Sequence, residues 1–87
     1  MKDIIEQAGF TEYEIKKFTS AMRCKLLNNA SKGDSWKTCD FGFLERKLVE
    51  EFSEFMSIRN RSIKDREELV DIANICMMLF LRLEMDI

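Results

Sequence analysis

The stretch Glu67–Leu81, EELVDIANICMMLFL, decides how this chain folds. Most of it is apolar, yet Glu67, Glu68, Asp71 and Asn74 are set into it or stand at its mouth. A buried carboxylate is costly unless a charge sits against it. At roughly 100° per residue on a helix, apolar side chains cover almost the whole circumference. The polar remainder is a narrow stripe of Glu67, Glu68, Asp71, Asn74 and Arg82, with Met78 among them. A helix apolar nearly all round must be enclosed. Two further helices from one short chain can hardly enclose it. The pattern therefore predicts a homo-oligomer, dimer or tetramer, in which these helices pack as a bundle.

Working outward, 87 residues make a single domain, 1–87, with a modest core. There is no proline and there are three glycines, so helices are favoured over a many-turned β fold. The expected class is all-α, with three main helices at about 12–29, 41–58 and 65–84. A net charge of −2 leaves no electrostatic footprint for nucleic acid or an acidic membrane. The apolar run 72–81 is too short to span a bilayer, and Lys2 and Asp3 do not open a signal peptide. Cys24, Cys39 and Cys76 have no CxxC spacing and read as free thiols in a reducing cytoplasm. The absence of histidine removes Ser-His-Asp and Cys-His catalysis and the commonest zinc ligand. Any metal would be held by carboxylate oxygens, which suits a hard ion such as magnesium or manganese.

The first ten residues are expected to make one or two turns ending at Gly9. Thr11 and Glu14 have capping-box spacing, with Phe10 and Ile15 as a hydrophobic staple. Ile15, Phe18, Met22 and Leu26 line one face of the helix that follows, with Asn29 in the middle of that face and Lys25 at its edge. Residues 30–40 form a loop, with Thr38 or Asp40 capping the next helix. On that helix Leu44, Leu48, Val49, Phe52, Phe55 and Met56 make the apolar face. Residues 59–65, RNRSIKD, form a polar connection too short for another element.

Two acid pairs stand out, Glu51 with Glu54 and Glu68 with Asp71, each at i, i+3 and so on one helix face. If the two helices pack antiparallel, four carboxylates converge. Unpaired they would repel and their pKa values would rise; divalent cations resolve this by taking several oxygens each. Singly, each pair is more often a solvated face, and Lys47 could pair with Glu51. Arg82 would either balance Asp71 or face solvent. Lys25, Asn29, Lys32 and Trp36 form a second set. Lysines suit phosphate oxygens, and an indole offers a surface for a nucleobase; alternatively Trp36 is a core plug and the lysines are solvated.

These residues resemble the MazG-like branch of the all-α nucleoside triphosphate pyrophosphohydrolases. ExxE and ExxD appear as EFSE (Glu51–Glu54) and ELVD (Glu68–Asp71), and KLxxNxxKGxW appears as KLLNNASKGDSW (Lys25–Trp36), one residue longer before the tryptophan. ExxDxANxxMM is matched by ELVDIANICMM, and the likeness spans roughly residues 22–81. The resemblance implies an oligomeric helical bundle that hydrolyses a nucleoside or deoxynucleoside triphosphate, with magnesium, to the monophosphate and pyrophosphate. It implies Glu51, Glu54, Glu68 and Asp71 as metal ligands, with Glu51 or Glu54 as general base. Lys25, Asn29 and Lys32 would hold phosphates or sugar, Trp36 would lie near the base, and Asn74 would support the site or touch substrate. Two other readings stand beside it: a non-enzymatic oligomeric helical interaction module, and a phosphoribosyl-ATP pyrophosphohydrolase-like enzyme.

Overall fold

Four α-helices and three short 3-10 turns make up the residues 4–85 that the computed structural model describes, and there is no strand among them. The predicted all-α class is what forms. The first helix, α1 (Ile4–Gln7), is one turn. It ends at Gly9, whose φ of 90° costs glycine nothing. Helix α2 (Glu12–Asn28) starts on the predicted capping box. The Glu14 N–H donates to Thr11 Oγ1 (3.1 Å) and the Thr11 N–H donates to Glu14 Oε1 (2.9 Å). This pair satisfies two of the donors that a helix start leaves open. Only the second half of the predicted α2 face is covered: Met22 and Leu26 are half-buried, while Ile15 and Phe18 are exposed.

Beyond α2 the loop is held by 3-10 turns at Ala30–Lys32 and Ser35–Lys37, with Gly33 between them at φ 77°. Helix α3 (Phe41–Ser57) follows. Asp40 stands at its N-cap, but its side chain makes no capping bond, and the Thr38 hydroxyl donates to the Ser35 carbonyl instead (3.5 Å). The connection to the last helix was expected to hold no element. It carries a 3-10 turn, Ile63–Asp65, because Ser62 and Asp65 make a second capping box, with the Ser62 N–H donating to Asp65 Oδ2 (2.6 Å).

Helix α4 (Arg66–Met85) is central, and both α2 and α3 pack on it. Helices α3 and α4 run antiparallel. Phe41 at the start of α3 meets Arg82 near the end of α4, and Glu51 meets Glu68 and Asp71 near its beginning. The inward stripe of α3 is Leu44, Leu48, Glu51 and Phe55, continued by Ile58 at the C-cap, in alternate steps of four and three residues. The face expected to be continuous is therefore split: Val49, Phe52 and Met56 are exposed.

One chain buries little. Leu44 and Val70 are the buried apolar residues among those described, with Asn74 and Arg82 as buried polar ones. The accessible surface is 7216 Å², against about 5,400 Å² for a folded monomer of this mass. The radius of gyration is 15.2 Å, against about 12 Å for a chain of this length. On α4, Leu69, Cys76, Phe80 and Leu83 remain exposed, with half-buried Ala73 in line between them. Among the described residues no helix is long and apolar enough to cross a membrane.

Candidate functional site

Glu51 lies in the inward stripe of α3, and Glu68 and Asp71 lie one turn apart on the α4 face that meets it. Each offers a carboxylate oxygen within 4.8 Å of the others, and all three residues are half-buried. Three anionic oxygens at that separation can serve one divalent cation. Glu54 is exposed and outside this trio. It is still close enough to act on Glu51. Burial pushes the Glu51 carboxyl above the ordinary glutamate value; the charges of Glu54, Asp71 and Glu68 and a hydrogen bond with Glu68 raise it further.

Two buried side-chain oxygens in this region have no hydrogen-bond partner, Glu68 Oε2 and Asn74 Oδ1. Asn74 is 4% exposed, and its Nδ2 donates to the Met22 carbonyl (3.2 Å), tying α4 to α2. That bond fixes the amide and leaves Oδ1 without a donor. An orphaned acceptor at this depth is costly. Its residue lines the same cleft as Glu51 and Asp71.

The cleft has a volume of about 660 Å³. Lys25, Asn29, Lys32 and Trp36 line it too, so every residue of the predicted second set faces the same space as Glu51, Asp71 and Asn74. Lys25 also reaches the acids. Its Nζ lies 3.6 Å from Asp71 Oδ1 and 3.9 Å from Glu67 Oε2. Lys32 is exposed, whereas Asn29 and Trp36 are half-buried. The indole is thus neither a plug under the loop nor fully solvated, and Lys37 Nζ stands 5.9 Å from its ring centre.

Two sequence expectations are corrected here. Arg82 neither balances Asp71 nor faces solvent. Eleven residues along one helix separate the two by about 16 Å, and Arg82 is buried, with its Nη1 donating to the Trp36 and Cys39 carbonyls. Lys47 makes no ion pair with Glu51; its Nζ stands 6.0 Å from the Phe43 ring centre. Sequence reasoning also passed over Lys47, Met78 and Cys39 as walls of the cleft. Met78 carried a signal, since it interrupts the polar stripe of α4 one turn beyond Asn74.

Searches against protein-family models, curated proteins and solved structures find no match to this chain.

Proposed function

We propose that this chain is a magnesium-dependent nucleoside triphosphate pyrophosphohydrolase of the MazG-like kind. It would convert a nucleoside or deoxynucleoside triphosphate to the monophosphate and pyrophosphate. The supporting observation is that one cleft is lined by Glu51, Asp71 and Asn74, whose buried Oδ1 has no partner, together with two lysines, an asparagine and an indole. A magnesium-bound polyphosphate carrying a base is complementary to both groups of residues. The resemblance of EFSE, ELVD and KLLNNASKGDSW to that family points the same way.

The donor set suits the ion. Glu51, Glu68 and Asp71 are hard oxygen ligands, and the orphaned Glu68 Oε2 has acceptor capacity to spare. Magnesium, or manganese in its place, would neutralise the acids and lower the barrier to water attack. Glu54 is outside the trio and therefore the better placed of the two candidate bases; it would accept the proton of the water that attacks phosphorus. Lys25 and Lys32 would offset charge on the leaving pyrophosphate. Asn29 would contact the sugar or a phosphate, Asn74 would hold α2 against α4, and Trp36 would stack on the base. The test is pyrophosphate release from a panel of nucleoside triphosphates and phosphoribosyl-ATP, with magnesium and with chelator. Magnesium-dependent release from a nucleoside triphosphate is expected; no release from any of them by a well-folded protein overturns the proposal.

The acting unit is proposed to be a homodimer or homotetramer in the cytoplasm, where Cys24, Cys39 and Cys76 stay reduced. The surplus of roughly 1,800 Å² over a compact monomer is of the size that one side of an obligate interface covers. Leu69, Ala73, Cys76, Phe80 and Leu83 repeat in steps of four and three, the spacing of a helix seam. The same seam favours the second reading, a helical interaction module without chemistry. Saturable stabilisation by magnesium separates the two, because a bare module responds only as it does to any salt.

A further inference from the structure

Arg82 is 9% exposed, near the end of α4. Its Nη1 donates to the Trp36 carbonyl at 2.9 Å and the Cys39 carbonyl at 2.8 Å, and stands 3.9 Å from Cys39 Sγ. The guanidinium carbon lies 5.9 Å from the Phe41 ring centre. Among the described residues no carboxylate is within ion-pair distance of it. A buried cation is thus aimed at the backbone of one loop. Hydrogen bonds from a charged donor are roughly twice as strong as neutral ones. The segment 34–40 needs such an anchor, because its regular structure is one 3-10 turn, Ser35–Lys37, and Gly33 separates it from the turn that carries Lys32.

The same helix carries Glu68, Asp71 and Asn74. Helix α4 therefore holds two parts of the site: Glu68 and Asp71 stand in its first half, and Arg82, about 16 Å beyond Asp71, holds the loop segment that bears the indole. We infer that Arg82 is a positioning residue that fixes Trp36 as the surface on which the nucleobase stacks, and so sets the span between base and acid cluster. This rests on the hydrolase reading above. It predicts that Arg82 acts on recognition of the base and leaves recognition of the phosphates alone.

Trp36 is the chain's single tryptophan, so its fluorescence reports the loop directly. The experiment compares the native protein with Arg82→Met and Arg82→Lys, with the fold checked by circular dichroism. In Arg82→Met, acrylamide should quench Trp36 more readily. KM for the preferred nucleoside triphosphate should rise about tenfold, the effect of losing one stacked base. At the same time kcat and inhibition by inorganic tripolyphosphate, which has no base, should stay near native. Arg82→Lys should fall between the two. Unchanged quenching overturns the inference, as does an equal loss of affinity for nucleotide and tripolyphosphate. If Arg82→Met does not fold, Arg82→Lys carries the same comparison: a raised KM with native tripolyphosphate inhibition supports the inference, and any other pattern overturns it. If the native chain releases no pyrophosphate, the hydrolase reading fails by itself. The inference is then judged on protection of Trp36 from acrylamide by a nucleoside triphosphate. Protection lost in the variant upholds it, and protection absent or unchanged overturns it.

Discussion

Lys25 Nζ lies 3.6 Å from Asp71 Oδ1, so a side chain expected to hold phosphate stands against the acids. The side chains are 32% and 27% exposed, and their attraction is only partly screened by water. The ammonium supplies the counter-charge that the acids would take from a divalent cation. Lys25 therefore opposes cation binding while favouring a polyanion, and the two effects can be separated. Lys25→Gln should bind magnesium several-fold more tightly by calorimetry, because one positive charge leaves the acid cluster. The same variant should show KM for the triphosphate raised about tenfold, the loss of one charged hydrogen bond to phosphate. A variant that weakened both, or neither, would show that Lys25 does not act on both.

Glu51 gives a pH signature. Its carboxyl titrates above the ordinary value of 4.5 in the folded chain, so between that value and the raised one the native state holds more protons than the unfolded state. Stability then falls as pH rises through this window and is unaffected by Glu51 below it. Thermal melts in chelator from about pH 4 to 8 should show this fall in the native chain and a flatter profile in Glu51→Gln. The variant should melt a few degrees higher than the native chain at neutral pH, although it has lost a carboxylate proposed for the site. With magnesium present the native trend should reverse, because the ion needs the deprotonated carboxylate. Glu51→Gln should lose both that reversal and turnover.

Magnesium itself should raise the melting temperature along a saturable curve. A ligand at a hundred times its Kd adds about 2.7 kcal/mol, on the order of 10 °C or more for a domain of this size. Asp71→Asn should abolish this gain and turnover together, with oligomeric state unchanged by light scattering. Near-native turnover in Asp71→Asn would remove Asp71 from the essential ligands.

Much of this arrangement was legible in the residues, for physical reasons. The acid pairs were picked out by their i, i+3 spacing, and Glu51, Glu68 and Asp71 do come together. Thr11 and Glu14 announced the start of α2, because a capping box is a local contact. The partners of Arg82 were not legible. They are the carbonyls of Trp36 and Cys39, which carry no side-chain signature and depend on how an irregular loop folds back on α4. The α3 face was misread for a related reason. Val49, Phe52 and Met56 continue the apolar arc on the wheel, and composition alone cannot separate a face turned to this chain from one turned outward. Ser62 and Asp65 form a capping box whose pattern was present but lay in a segment read as too short for structure.

The seam on α4 gives a prediction that needs no substrate. Leu69, Cys76, Phe80 and Leu83 are exposed on the helix that the other two pack against, and Phe80 is 69% exposed at the centre of the C-terminal half of the seam. Phe80 is neither a lining residue of the cleft nor a member of the acid trio. If a second copy covers the seam, the Phe80 ring is buried between protomers, and a carboxylate in its place meets an apolar surface with no countercharge. Phe80→Glu should then convert the oligomer to a smaller species by light scattering. Its melting temperature should become independent of protein concentration, whereas the native chain's should rise with it. Phe80→Met, apolar and flexible, should keep the native assembly. A native chain that runs as a monomer at all concentrations, with Phe80→Glu no less stable than native, would show that the exposed seam is not where copies of this chain meet.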